Sequence, residues 1–398
     1  MKTIENVDLK GKTVFMRADL NSPYDEKTGK IETNERIKAH AQSVKQICSK
    51  GAKLVVLAHQ GRKGDPDCIS LSQHAQILSR ESGIKVKFVD DVCGEKAKSA
   101  INSLKPGEAI LLDNVRFLDD ETKFKTTAEN ANAQLVRELK PLCNYFVLDA
   151  FSVAHRAQAS VVGFAAAGVP TLAGPVMAAE LRALEKLKSP ARPAIFVFGG
   201  AKPEDSISIL EQWLNQGKLD SAICCGVLGT LFLEAKGIDI GASKDFLEKS
   251  GAINFLPTAQ ALLQKYPGKI MIPTDVALDN HGKRQEIPVS RLPSDLPIFD
   301  IGSQTAKAFS AKLASAKTVV VNGPAGVYEK EEFSAGTRAV LTAIANSKAF
   351  SVAGGGHTIT AIGKFGLDKK KFGYISLSGK ALIEYLSGKE LPGVKILS

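Results

Sequence analysis

Residues 13–23 read TVFMRADLNSP, and this stretch decides the fold class. Thr13–Leu20 is apolar enough for a strand covered on both faces, as in a parallel sheet. Yet Arg17, Asp19 and Asn21 recur at alternate positions, and a strand's period of two places them on one face. Charges in such a strand cost roughly several kcal/mol unless they are paired or used. Two explanations fit: a structural Arg17–Asp19 pair with Asn21 in a turn, or a ligand site at the strand's carboxyl end.

Outward from this stretch the pattern repeats. Lys53–His59, Lys85–Asp90, Ala109–Asn114 and Tyr145–Phe151 read as further strands of the first half, with helices at Thr33–Ser49 and Thr127–Lys140. Pro193–Gly200, Ser221–Gly226, Lys269–Ala277, Thr318–Pro324 and Phe350–Gly354 read as strands of the second half. The alternation predicts an α/β fold of two doubly wound parallel-sheet lobes. Val176–Lys188 has helical apolar spacing and is followed by Ser189-Pro190, so it reads as a hinge helix joining them. The expected domains are 1–172, a connecting helix at 173–189, 190–381, and a terminal segment at 382–398.

Composition narrows the class. A chain of 398 residues with a hydrophobic fraction of 44% supports two or three cores. No apolar run suits a membrane span, and Met1–Asn6 lacks the apolar core of a secretory signal. None of the six cysteines forms a CxxC pair, so neither a disulfide framework nor a zinc site is expected. These features predict a cytoplasmic protein. The net charge of +10 raises a nucleic-acid partner, but the lysines are scattered and lack interleaved aromatics. Small anionic ligands suit the excess better.

Ligands of doubly wound folds bind beyond the carboxyl ends of the strands. In the first half those ends carry Arg17, Asp19 and Asn21, then His59 and Arg62, then Arg116, then His155 and Arg156; Arg36 lies near the start of a helix. Clustered guanidinium forks repel one another without an anion and match carboxylate and phosphate oxygens. They predict a pocket for a small molecule with two anionic groups, its hydroxyl recognised by Asp19 and Asn21. In the second half, Gly199-Gly200-Ala201-Lys202 and Gly354-Gly355-Gly356-His357-Thr358 each end a strand and open a helix. Glycine and helix N-termini suit phosphate. Asn322–Glu329 forms a rigid glycine–proline loop whose Glu329 can accept from ribose hydroxyls. There is neither GxxxxGK[ST] nor a GxGxxG after the first strand.

The strings RADLNSP, AHQGR, DNVRF, DAFSVAHRAQAS, FGGAK, IPTDV, VNGPAGVYE and GGGHT, in this order, resemble the phosphoglycerate kinase signatures, in their archaeal form. The resemblance implies an ATP:3-phosphoglycerate 1-phosphotransferase of glycolysis and gluconeogenesis. A first lobe would bind 3-phosphoglycerate or 1,3-bisphosphoglycerate, and a second ADP or ATP with Mg2+. By similarity Asp19, Asn21, Arg36, His59, Arg62, Arg116 and Arg156 hold the triose substrate. Gly200, Lys202, Asn322, Glu329, Gly355, Gly356, His357 and Thr358 serve the nucleotide. Arg36 and Lys202 would stabilise the phosphoryl group in flight, after lobe closure. The final segment would return to the first lobe.

The sequence departs from the commoner family pattern twice. His357 stands where many members have an aspartate that serves the metal, and Ser206 where many have a second lysine. Asp205 is then the candidate carboxylate for Mg2+. No nucleic acid, no membrane and no phosphoenzyme are expected, and the chain is expected to be a monomer or homodimer. Rival readings are another ATP-dependent kinase acting on a carboxylate or sugar phosphate, a nucleic-acid-binding protein, and a catalytically inactive paralogue.

Overall fold

The computed structural model describes residues 1–398 apart from the side chain of Asp205. The chain forms two compact units, Met1–Arg182 with Lys389–Ser398, and Ala183–Gly388.

In the first unit six strands lie parallel. Their order across the sheet is Val86–Val89, Ala109–Leu112, Lys53–Leu57, Thr13–Arg17, Tyr145–Leu148 and Thr171–Ala173. Thr13–Arg17 is central, and the chain winds first to one side of it and later to the other. That reversal opens a crevice at the carboxyl ends of the central strands. The strands are apolar on both faces and almost wholly buried. One face packs on the helices Glu35–Ser49 and Ser72–Ser82 through Ile37, Val44, Ile47 and Leu78. Near Phe15, the ring of Phe164 meets it edge-on at 5.4 Å and stacks on Phe146 at 5.3 Å. Each such buried ring contributes about 1.5–3 kcal/mol by leaving water. Asn34 starts the helix Glu35–Ser49, its Oδ1 accepting from the backbone N–H of Arg36 at 2.9 Å and of Ile37 at 3.0 Å.

The second unit repeats the plan with Ile270–Met271, Ser221–Cys224, Ala194–Phe198, Thr318–Asn322, Phe350–Gly354 and Tyr374–Ile375, again all parallel. The fold class read from the sequence is the one observed, in two doubly wound sheets. Several local readings need correction. Most strands stop earlier than expected, the first at Arg17 instead of Leu20. The single strand expected at Lys269–Ala277 is two, Ile270–Met271 in the parallel sheet and Asp275–Asn280 in a separate antiparallel one, with Pro273 between them. That three-stranded sheet, completed by Lys283–Pro288 and Ile298–Ile301, was not expected. Thr127–Lys140 is a 3-10 turn at Glu129–Asn132 followed by the short helix Gln134–Leu139. The helix read at Val176–Lys188 runs Pro175–Glu185.

At the end of the chain, the helix Lys380–Leu386 belongs to the second unit, where Trp213 Nε1 donates to Leu386 O at 2.9 Å. Lys389–Ser398 belongs to the first, with Gly393 N–H donating to Ala154 O at 2.8 Å. No helix among the described residues is long and apolar enough to cross a membrane. All six cysteines are free thiols, and burial pushes Cys48 and Cys143 up to about 12.

Candidate functional site

The crevice of the first unit gathers the residues that the sequence singled out at strand ends. The chain leaves the sheet at Arg17, so Arg17 and Asp19 diverge. Arg17 is fully buried, donating from Nε to Ser160 Oγ at 2.8 Å, from Nη1 to Ala18 O, and from Nη2 to His59 Nδ1 at 3.1 Å. Burial lowers its pKa to about 10, which leaves it charged at neutral pH, and the nearby carboxylates of Glu121 and Asp19 oppose the fall. Glu121 is itself buried and accepts from Ser160 N–H at 2.9 Å and Ser160 Oγ at 2.6 Å.

Asp19 forms the centre. Its Oδ2 accepts from Ser152 Oγ at 2.5 Å and lies 3.4 Å from Arg36 Nε, while Oδ1 accepts from Asn21 N–H at 3.2 Å. Burial alone would raise its pKa; the Arg36 charge and the Ser152 bond outweigh that and hold the carboxyl below the usual range. Asn21 Oδ1 accepts from Gly61 N–H at 3.0 Å, which ties the first strand-end loop to the second. His59 is buried, and its pKa falls well below 6.5 through burial and then the Arg17 charge. Since Arg17 can only donate, His59 Nδ1 accepts and the ring is neutral with its proton on Nε2.

Asn114 sets the loop bearing Arg116, accepting from Arg116 N–H at 3.1 Å and donating to Gln60 O at 2.8 Å. The Arg116 side chain is buried, and its Nε has no hydrogen-bond partner among the described residues. Arg156 donates from Nε to His155 Nε2 at 3.1 Å. Its pKa is lowered by burial and then by Arg116, with Arg62 adding to the effect. Arg62 itself stands exposed at the rim. The fold thus brings together all seven residues of the first set. Sequence reasoning missed Ser152, Ser160, Glu121 and His40 among their supports, and it noted Asp149 only as a residue of the fifth strand end without assigning it a role. Only His40 and Asp149 carried a sequence signal, as polar residues on a buried helix face and just past a buried strand.

In the second unit, three glycine turns interlock by backbone alone. Gly199 N–H donates to Asn322 O at 2.9 Å, Gly200 N–H to Pro324 O at 2.8 Å, and Gly226 N–H to Ala325 O at 2.9 Å. A Cβ on Gly199 or Gly323 would strike the facing main chain, and Gly323 has φ +90°. These turns floor a mostly apolar cavity of about 300 Å3, walled by Val227, Leu247, Val276, Ile298 and Val327 with Phe246 among the lining residues. A flat ring fits such walls, and the helix starts at Pro203 and Gly356 offer N–H donors to phosphate.

Of the expected nucleotide residues, Gly200, Glu329 and His357 line this cavity. Lys202 is exposed just before the helix Pro203–Asn215. Asn322 Oδ1 lies close under Gly355, and the buried Thr358 accepts at Oγ1 from Gly323 N–H at 2.9 Å, so both brace the loops. Gly356 has open space where a Cβ would lie. His357 Nδ1 lies 3.3 Å from Glu329 Oε1 and 3.4 Å from Tyr328 Oη. The buried Asp300, which also lines the cavity, was not foreseen. It accepts from Arg284 Nη1 at 2.9 Å and Gly336 N–H at 2.8 Å. Burial raises its pKa to about 6 against those bonds.

Among the described residues, no three His, Cys, Asp or Glu side chains converge to hold a metal ion. The side chain of Asp205 lies outside the described residues.

The phosphoglycerate kinase family model matches residues 4–389. The chain belongs to the phosphoglycerate kinase family. It is 42% identical to the phosphoglycerate kinase of Methanothermobacter thermautotrophicus, across 100% of this chain and 96% of that one. With the phosphoglycerate kinase of Methanosarcina mazei it shares 44% identity, across 99% and 94%. The crystal structure of phosphoglycerate kinase from Pyrococcus horikoshii superposes with a TM-score of 0.92 at 37% identity, covering 100% of this chain and 98% of that one. These archaeal phosphoglycerate kinases agree with the resemblance read from the motifs.

Proposed function

We propose that the chain catalyses reversible phosphoryl transfer between 1,3-bisphosphoglycerate and ADP, giving 3-phosphoglycerate and ATP. The family assignment makes it a kinase, and the arginine rim carries the reading of substrate. Arg36, Arg62, Arg116 and Arg156 border one crevice, where burial and mutual repulsion already weaken Arg156's hold on its proton. An anion with a phosphate at one end and a carboxyl group at the other relieves that repulsion. His59 stays neutral and donates from Nε2, while Asp19 accepts from the substrate hydroxyl. Asn21 braces this pocket.

The nucleotide would place its base between the apolar walls of the second unit, its ribose near Glu329 and its phosphates at the glycine turns and helix starts. Phosphoryl transfer asks the protein mainly for positioning and charge stabilisation. Lys202 and Arg36 supply that charge to the migrating group in a direct in-line transfer, with the lobes closing to exclude water. No side chain is phosphorylated on the way, and His59 and His155 serve as pocket or structural groups.

Mg2+ prefers hard oxygen ligands. His357 does not provide one, and the described residues do not by themselves form a site for the ion. It would arrive on the nucleotide phosphates with its waters, neutralising their charge, with Asp205 as the one candidate protein ligand. The same reading places the enzyme in the cytoplasm.

The test is ADP formation from MgATP by the purified protein with and without 3-phosphoglycerate. Strong stimulation, with little hydrolysis in its absence, is the expected result. Folded protein that binds nucleotide but shows no stimulation would overturn the substrate assignment.

A further inference from the structure

We propose that His40 and Asp149 are positioning residues for the 3-phosphoglycerate site, relaying hydrogen bonds from the first turn of the helix Pro175–Glu185 to Asp19. The proposal rests on the reading of Asp19 as a substrate-binding residue.

All three residues are interior, with Asp19 3%, His40 2% and Asp149 0% exposed. The backbone N–H of Asp19 lies 3.1 Å from His40 Nε2, and His40 Nδ1 lies 2.8 Å from Asp149 Oδ2. A backbone N–H can only donate, so Nε2 accepts and the ring proton sits on Nδ1, donated to Asp149. Only this tautomer satisfies both neighbours.

The other oxygen of Asp149 is committed as well. Oδ1 accepts from Val176 N–H at 2.8 Å and from Met177 N–H at 3.5 Å. It thereby caps the helix Pro175–Glu185 from a neighbouring strand end. Gly174 has no side chain to do so, and a Cβ there would strike Asp149. Asp149 is thus held by the helix, orients the imidazole, and through it fixes the amide of Asp19.

The other grips on Asp19 come from the same two elements. Arg36 precedes His40 by one helical turn, on the same helix face, and pairs with the Asp19 carboxylate at 3.4 Å. Ser152 follows Asp149 along the chain and donates to the same carboxylate oxygen at 2.5 Å. His40 therefore supplies the main-chain half of a clamp whose side-chain half faces the pocket. A proton on the wrong ring nitrogen would point a donor at the Asp19 N–H and push Asp19 off its partners.

Asp149→Asn tests this with one changed atom. Asn caps helices about as well as Asp, and the helix N–H groups keep the carboxamide oxygen on their side. The NH2 then faces His40 Nδ1, the ring must carry its proton on Nε2, and two donors meet at Asp19. The KM for 3-phosphoglycerate is expected to rise at least about tenfold, on the scale of an unsatisfied buried donor. The KM for ATP should stay close to wild type, and the melting temperature should fall by no more than several degrees, the cost of one unsatisfied buried donor. Nitrogen NMR of the imidazoles should show His40 passing from the Nδ1–H to the Nε2–H form. In a companion pair, His40→Gln keeps an acceptor near the Nε2 position and should retain more 3-phosphoglycerate affinity than His40→Asn.

An unchanged KM for 3-phosphoglycerate in Asp149→Asn, or a wild-type His40 carrying its proton on Nε2, overturns the relay. A parallel rise of both KM values with a large drop in melting temperature also overturns it, because that pattern means a structural role alone. Asp19→Ala separates the two levels. If it raises the 3-phosphoglycerate KM while Asp149→Asn does not, the relay fails and the site stands. If Asp19→Ala also has no effect, the reading of the site fails.

Discussion

Acidification is expected to weaken the first unit through His74. The ring is fully buried, with Nε2 3.1 Å from Gln60 Oε1 and Nδ1 without a partner among the described residues. Gln60 is locked in orientation, its Oε1 accepting from Ser22 N–H at 2.8 Å and its Nε2 donating to Ser22 O at 3.0 Å. His74 Nε2 therefore carries the proton, and a second proton on Nδ1 would find no acceptor. Burial lowers the pKa from 6.5 to about 4. The folded state thus binds the proton more weakly than the unfolded chain. Stability is whole above pH 6.5 and is lost as the pH falls towards 4. At 1.36 kcal/mol per pH unit, this single group removes about 3 kcal/mol in full, and about 2.5 kcal/mol between pH 7.5 and 4.5. His59, also held below its ordinary value, adds a loss of the same sign. His74→Gln keeps a donor towards Gln60 and abolishes the titration. It should lose about 2.5 kcal/mol less than wild type between those pH values, in urea unfolding followed by circular dichroism. Equal losses in the two proteins would refute the reasoning.

Other outcomes follow from the second unit and the transfer step. Asp300 has the opposite sign: its folded pKa of about 6 exceeds the ordinary 3.8. Its contribution is therefore full below pH 3.8 and fades by about 3 kcal/mol as the pH rises through 6. Asp300→Asn should flatten that trend, read by the fluorescence of Trp213, the single tryptophan. Lys202→Ala should lower kcat by at least ~100-fold, the scale of one lost transition-state donor, and Arg36→Ala comparably. A near-normal kcat would remove either residue from the transfer step, and a change in KM alone would mean uniform binding. Gly323→Ala combines a φ of +90° with a Cβ that strikes the Gly199 main chain. It should weaken ADP binding by calorimetry while 3-phosphoglycerate binding persists; unchanged ADP affinity would show that the interlocked turns do not shape the pocket. Asp205→Ala should raise the magnesium concentration needed for half-maximal rate, and an unaltered magnesium dependence removes Asp205 as a ligand.

The parallel sheets were legible because buried strands announce themselves: Thr13–Arg17, Lys53–Leu57 and Thr318–Asn322 are near-continuous apolar runs. Their ends were drawn too long because Ala18, Leu20 and Ala58 stay buried after the pairing stops. Lys283–Pro288 was invisible for the opposite reason. It is an edge strand, KRQEIP, with Ile287 as its one buried residue, and neither its period nor its composition marks it as sheet. Strand-end arginines could be read because each lies a few residues past an apolar run. The walls of the second cavity could not, since Ser243–Lys249 and Ile298–Ile301 reach it through tertiary packing alone.

The histidines show why a site can be legible while its polarity is not. His59 stood out in sequence because it ends a strand. His40 showed only as a polar residue on a buried helix face, with no hint of its role, since its partners Asp19 and Asp149 are 21 and 109 residues away. In the fold the two rings bear on Asp19 with opposite tautomers. Arg17 forces His59 to accept at Nδ1 and so to present an Nε2 proton. Asp149 draws the His40 proton onto Nδ1 and leaves Nε2 to accept. Neither tautomer is set by the ring or by its neighbours in sequence. Each is imposed from beneath by a group that faces no solvent, Arg17 and Asp149 being 0% exposed. Fixing both rings in advance removes a reorganisation that an anionic ligand would otherwise have to drive, which is where preorganisation lowers the cost of binding.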